Sequence, residues 1–126
     1  MNKINQNKYV FIIDNSIISA NRIFNALSEV VNIFKVDYAA NGKEALQKLA
    51  DTRPNVILLD IQLPDMNGID ILQQIKQNYP NTAVIVLTDY SANHSFKIYK
   101  NMGADGYYNK TNELDMAIEL LKELTK

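Results

Sequence analysis

Val56-Ile57-Leu58-Leu59-Asp60-Ile61-Gln62-Leu63-Pro64-Asp65-Met66-Asn67-Gly68 opens on four consecutive apolar residues, meets an acid, and has a proline four and a glycine eight residues after that acid. A continuous apolar run, as opposed to an alternating one, is the pattern of a strand covered on both faces. Two further runs of the same kind are Tyr9-Val10-Phe11-Ile12-Ile13 and Ala83-Val84-Ile85-Val86-Leu87. Weaker strand signals lie at 34–38 and 106–109.

Between the strands the apolar residues recur at helical spacing. Ile17, Ile23, Phe24, Leu27, Val30 and Val31 form one such set, Ala45, Leu46 and Leu49 a second, and Ile69, Leu72 and Ile75 a third. A last helix carries Leu114, Ala117, Ile118, Leu121 and Leu124. Asn41 with Glu44, and Asn112 with Asp115, have the spacing of helix N-caps, and Pro54 and Pro80 separate helices from the strands that follow. Five strand–helix units in alternation predict an α/β fold: a five-stranded parallel sheet, doubly wound, with helices on both faces in three layers.

Composition bounds the function. The 126 residues make one domain, 1–126 with its core at about 8–125, and no effector domain is expected in the chain. A formal net charge of −1 with interspersed signs provides no basic face for nucleic acid, so direct nucleic-acid binding is not expected. The absence of cysteine removes thiol chemistry and disulfides, and no apolar run approaches membrane-spanning length. A cytoplasmic protein with no membrane association is expected.

In open α/β sheets ligands sit at the carboxyl ends of the strands. Those ends read Asp14 and Asn15 after the first strand, Asp60 after the third, Thr88 and Asp89 after the fourth, and Lys110 after the fifth. Clustered carboxylates repel unless a cation neutralises them, and hard oxygen donors suit Mg²⁺ or Mn²⁺. Such a cation bridging a carboxylate and a phosphate, with Lys110 and the Thr88 hydroxyl on the remaining phosphoryl oxygens, would support phosphoryl transfer to a carboxylate.

Ile12-Ile13-Asp14-Asn15, the 58–68 motif, Val86-Leu87-Thr88 and Gly103-Ala104-Asp105-Gly106-Tyr107-Tyr108-Asn109-Lys110 resemble the CheY-like receiver domain of response regulators in two-component signalling. The resemblance implies that Asp60 is the phosphoacceptor, that Thr88 and Lys110 bind the phosphoryl group, and that Asp14, Asp60 and the backbone carbonyl of Gln62 hold a magnesium ion. Thr88 and Tyr107 would be the switch pair, and Gln62, Asp89 and Tyr90 would flank the phosphoryl group. It also implies a histidine kinase or phosphotransfer protein as donor, and a downstream effector on the surface of the fourth helix, fifth strand and fifth helix, with a homodimer as another use of that face. Ile98, Tyr99, Met102 and Tyr108 are the contacts expected there. The domain would be a switch that catalyses only its own phosphorylation and dephosphorylation.

Three residues depart from the family pattern. Asn15 stands where a second acid is usual, which predicts a weakened metal site. Asp89 replaces a small residue. Thr111 replaces a proline that commonly follows a cis bond; a non-proline cis bond costs about 3 kcal/mol, so a trans bond or a shifted loop is expected. The rival reading is a receiver-like interaction module, degenerate at Asn15 and regulated without phosphorylation. Enzyme readings fit less well: the 15–19 segment is a poor flavin phosphate loop, Gln62 stands where a phosphatase would have an acid, and four glycines form no nucleotide loop. His94 is expected to be an exposed loop residue with no catalytic role.

Overall fold

The computed structural model describes residues 8–89 and 93–126. Its elements run β1 (Lys8–Ile13), α1 (Ile17–Ala26) with a 3-10 turn at Leu27–Glu29, β2 (Ile33–Ala39), α2 (Gly42–Leu49), β3 (Val56–Leu59), α3 (Gly68–Asn78), β4 (Ala83–Thr88), α4 (Asn93–Asn101), β5 (Gly106–Asn109) and α5 (Leu114–Leu124). The strands form one sheet in the order β2-β1-β3-β4-β5, every pair parallel. The five-unit α/β sandwich expected from the sequence is the one observed.

The apolar runs explain the layers. Along β1, Val10 and Ile12 face one way with Val56, Leu58, Ile85 and Leu87, where α1 and α5 cover them through Ile23, Leu27, Ala117 and Leu121. Phe11 and Ile13 face the other way with Ile57, Leu59, Val84 and Val86, covered by α2, α3 and α4 through Leu49, Leu72, Ile75 and Tyr99. A period of two thus splits each continuous run between two cores, and a misregister of one residue would exchange them.

Three local expectations need correction. On α1 Ala20 and Ile23 are buried and Ala26 packs partly against the same core, whereas Ile17 and Phe24 are exposed, as is Val31 beyond the 3-10 turn. The helix ends at Ala26 and contributes only a narrow inward stripe, too narrow for the set read from the spacing. Leu124, at the end of α5, is also exposed. Asn112 is not the cap of α5: Glu113 occupies that position, and its carboxylate accepts the backbone N–H of Asn109 at 2.8 Å. Asn41, by contrast, caps α2 by accepting from Glu44 N at 2.8 Å, while the Glu44 carboxylate accepts from Ala40 N at 2.9 Å.

The doubly wound order places the strand-order reversal between β1 and β3. Their last paired residues are Ile13 and Leu59, so Asp14 and Asp60 leave the sheet side by side. Thr88 pairs with Asn109, which brings Lys110 to the same edge.

Candidate functional site

Asp14, Asp60 and Lys110 each extend the sheet by one residue. Asp14 N donates to Ala39 O at 3.0 Å, Asp60 N to Ile13 O at 2.8 Å, and Lys110 N to Thr88 O at 2.9 Å. Their backbone N–H groups are therefore tied to the neighbouring strands.

All three are buried, as is Thr88, whose exposure is 0%. The Lys110 ammonium lies 2.7 Å from Asp60 Oδ2 and 3.1 and 3.3 Å from the two Asp14 oxygens. The second Asp60 oxygen, Oδ1, accepts the Gln62 N–H at 2.9 Å. Asp14 is held from α1 as well: Ser16 N donates to its Oδ1 at 2.8 Å and the Ser19 hydroxyl to its Oδ2 at 2.6 Å. Tyr38 donates from its hydroxyl to the Asp14 carbonyl at 2.8 Å.

Burial pushes the Asp60 carboxyl above the usual carboxylate range; the Lys110 ammonium and the Gln62 N–H oppose this without cancelling it, and the Asp14 charge adds to it. Burial would lower the Lys110 ammonium, but the Asp60 and Asp14 carboxylates outweigh it and the net direction is upward. One ammonium is thus shared by two carboxylates where water is scarce, and it offsets the charge of only one of them.

The segment after Asp60 is clamped. Gln62 and Asn67 form an antiparallel bridge. Asp65 accepts from Gly42 N at 2.8 Å and Lys43 N at 2.9 Å, tying this loop to the start of α2. At Gly68 a side chain is impossible without displacement, because a Cβ there would overlap Ile61. The glycine read eight residues after Asp60 is therefore a close-packing requirement.

Not every candidate joins this group. Asn15 is exposed and its amide nitrogen donates to Ala40 O at 3.4 Å. Asp89 is exposed; its carboxylate accepts the Thr111 hydroxyl at 3.0 Å and its carbonyl accepts Asn109 Nδ2 at 3.3 Å. Tyr107 is half-buried against Tyr99, with ring centroids 5.6 Å apart, and meets Phe96 edge-on at 6.0 Å. Tyr99 is buried, which corrects its expected place among the surface contacts; Ile98 is exposed, and Met102 and Tyr108 are half-buried. His94 falls within α4 rather than a loop. Tyr90 lies outside the described residues. No peptide bond among the described residues is cis, so Lys110 and Thr111 are joined by a trans bond as expected.

A geometry of this kind, a buried acid at the end of the central strand facing a lysine from the fifth, invites comparison with known proteins. The family profile described as "Response regulator receiver domain" matches residues 10–122. The chain belongs to that family. It is similar to the response regulator protein VraR of Staphylococcus saprophyticus, 28% identical over 116 residues that cover 92% of this chain and 55% of that protein. It is 39% identical over 83 residues to the transcriptional regulatory protein CrdR of Helicobacter pylori, covering 65% of this chain and 39% of the relative. The receiver domain thus spans about half or less of the length of these relatives. Among solved structures it resembles the receiver domain of a Francisella response regulator, with a TM-score of 0.84 at 27% identity, 94% of this chain and 97% of that one being covered.

Membership makes the chain a module of two-component signalling. Among the described residues no helix is long and apolar enough to cross a membrane. Nor do three or more His, Asp or Glu side chains gather there in a group that could hold a metal ion. The residues that spacing alone missed are Ser19, Arg22, Tyr38 and Asp65. Each acts through the fold, Ser19 and Arg22 from α1, Tyr38 from β2 and Asp65 from the loop after β3.

Proposed function

We propose that this receiver domain accepts a phosphoryl group on Asp60, from a histidine kinase or a phosphotransfer protein, and passes the change to its surface. The observation that supports this reading is the buried Lys110 ammonium shared between Asp60 and Asp14. In the transfer a carboxylate oxygen of Asp60 bonds to phosphorus while the bond from phosphorus to the donor nitrogen breaks, and that nitrogen leaves with its electron pair. Lys110, already 2.7 Å from the acceptor carboxylate, is placed to follow charge from the carboxylate to the phosphoryl oxygens. Thr88, buried one residue beyond Leu87 at the end of β4, supplies a hydroxyl.

The donor set fits a hard divalent cation in a reduced form. The carboxylates of Asp14 and Asp60 and the Gln62 carbonyl would hold Mg²⁺ or Mn²⁺, and magnesium accepts one or two carboxylates with water and phosphate in the remaining positions. When bound, the cation would neutralise the phosphoryl oxygens alongside Lys110. Because Asn15 is exposed and bonded to Ala40, weak binding follows. That same feature favours the second reading, an interaction module regulated without phosphorylation.

For output, added negative charge at Asp60 would draw Thr88 toward it and alter the packing of Tyr107 on Tyr99 and Phe96, biasing the α4-β5-α5 face toward effector binding or self-association. Intact-mass analysis after incubation with acetyl phosphate and Mg²⁺ tests the proposal. A single phosphoryl addition, absent in Asp60→Asn, is the expected result. No addition to the wild type, with addition to Asn15→Asp, would establish the second reading.

A further inference from the structure

Among the described residues Lys110 is the one cation of the site, and its aim depends on the backbone that carries it. Its N–H is fixed by Thr88 O at 2.9 Å. Its carbonyl is fixed from a different element: Arg22, in the middle of α1, donates from Nη1 to Lys110 O at 2.6 Å and from Nη2 to Thr111 O at 2.8 Å. The planar guanidinium spans two successive carbonyls with two N–H groups held in a fixed fork, where an ammonium would offer a point charge on a flexible stem.

The turn it grips is built around Thr111. Thr111 N and Asn112 N both donate to Asn109 Oδ1, each at 2.9 Å, and the Thr111 hydroxyl donates to Asp89 Oδ1 at 3.0 Å. A proline at 111 would remove the first of these bonds. With threonine there, the direction of the peptide after Lys110 rests on hydrogen bonds, and the two charge-assisted ones to its carbonyls come from Arg22.

We propose that Arg22 is the positioning residue for Lys110, holding the Lys110–Thr111 peptide plane so that the ammonium falls between Asp14 and Asp60. The proposal deepens the phosphoacceptor reading and rests on it for its kinetic consequence, although the aim of Lys110 is measurable without any phosphorylation. Another arginine serves as control. Arg53 donates to the carbonyls of Leu49 and Thr52 at 2.7 and 2.6 Å and stacks on Tyr79, far along the chain from Lys110.

The test is the ¹H–¹⁵N resonance of the Lys110 ammonium, assigned by its loss in Lys110→Met, in the wild type, Arg22→Ala, Arg22→Lys and Arg53→Ala. A buried ammonium bonded to two carboxylates exchanges slowly and gives a resolved signal. Arg22→Ala is expected to fold, by its circular dichroism, yet to lose or broaden that signal and to take a phosphoryl group from acetyl phosphate about tenfold more slowly. Arg22→Lys should recover part of both, and Arg53→Ala should alter neither. A Lys110 signal unchanged in Arg22→Ala would overturn the proposal, as would equal loss in Arg53→Ala. If the wild type takes no phosphoryl group, the phosphoacceptor reading fails while the ammonium signal still decides the role of Arg22.

Discussion

The two sides of the site differ in how completely they are built. On the side of the acids and the lysine every group is buried and bonded: Lys110 to Asp60 and Asp14, Asp60 to Gln62 N, Asp14 to Ser16 and Ser19. On the rim, Asn15 and Asp89 are exposed and bonded outward, to Ala40 and to Thr111. The buried side has the chemistry of a phosphoacceptor with its counter-ion in place. The rim has a neutral amide at position 15, where an acid would help to capture a metal, and the Asp89 carboxylate is engaged by the Thr111 hydroxyl. On the proposed function, acceptor chemistry and metal affinity are separable here: the first rests on the strand ends, the second on the exposed residue at position 15.

Removing Lys110 should have the largest effect. Lys110→Ala leaves two buried carboxylates facing each other without a cation, and a loss of about 3 kcal/mol in a urea titration is expected. Phosphoryl addition should cease as well. If the variant were as stable as the wild type, the buried side would not be the tightly coupled unit described.

Asp60→Asn acts in the opposite direction. The folded-state pKa of Asp60 is raised, so its favourable contribution is complete below the ordinary carboxylate range, about pH 4, and is lost as pH rises through the folded value. Above that value the ionised, buried carboxylate therefore opposes folding. Asp60→Asn should raise the Tm at pH 7 by roughly 4 °C, and the gain should vanish as pH falls toward about 4. A Tm lower than that of the wild type at pH 7 would contradict this.

Next in size is the rim. Asn15→Asp should tighten Mg²⁺ binding about tenfold, measured by calorimetry, with little change in the Lys110 ammonium signal. Equal affinity in the two proteins would mean that position 15 does not control the metal.

The smallest effect belongs to Asp65. Its backbone partners Gly42 N and Lys43 N hold its carboxyl below the usual range, so its contribution is present above about pH 4 and is lost as pH falls further. Asp65→Asn should lower the Tm slightly at pH 7 and not at all near pH 2.

The layers and the strand ends were legible because the buried runs of β1, β3 and β4 and the acids that follow them are local signals. The face of α1 was not. Phe24 and Val31 are apolar at nearly helical spacing, but a helix that stops at Ala26 turns Ala20, Ile23 and, in part, Ala26 inward. Asn112 had the spacing of a cap, yet Asn109 and Glu113 satisfy the turn by accepting from its backbone. The partners of Asp14, Asp60 and Lys110 on other elements, Arg22 above all at 88 residues' separation from Lys110, depend on tertiary register and leave no local trace.

The most direct measurement is reductive trapping of the phosphorylated protein with borohydride, which converts an aspartyl phosphate to homoserine, followed by peptide mapping. Homoserine at position 60 and nowhere else is the expected result. Homoserine at Asp14 or Asp65, or none under conditions in which Asn15→Asp is labelled, would contradict it.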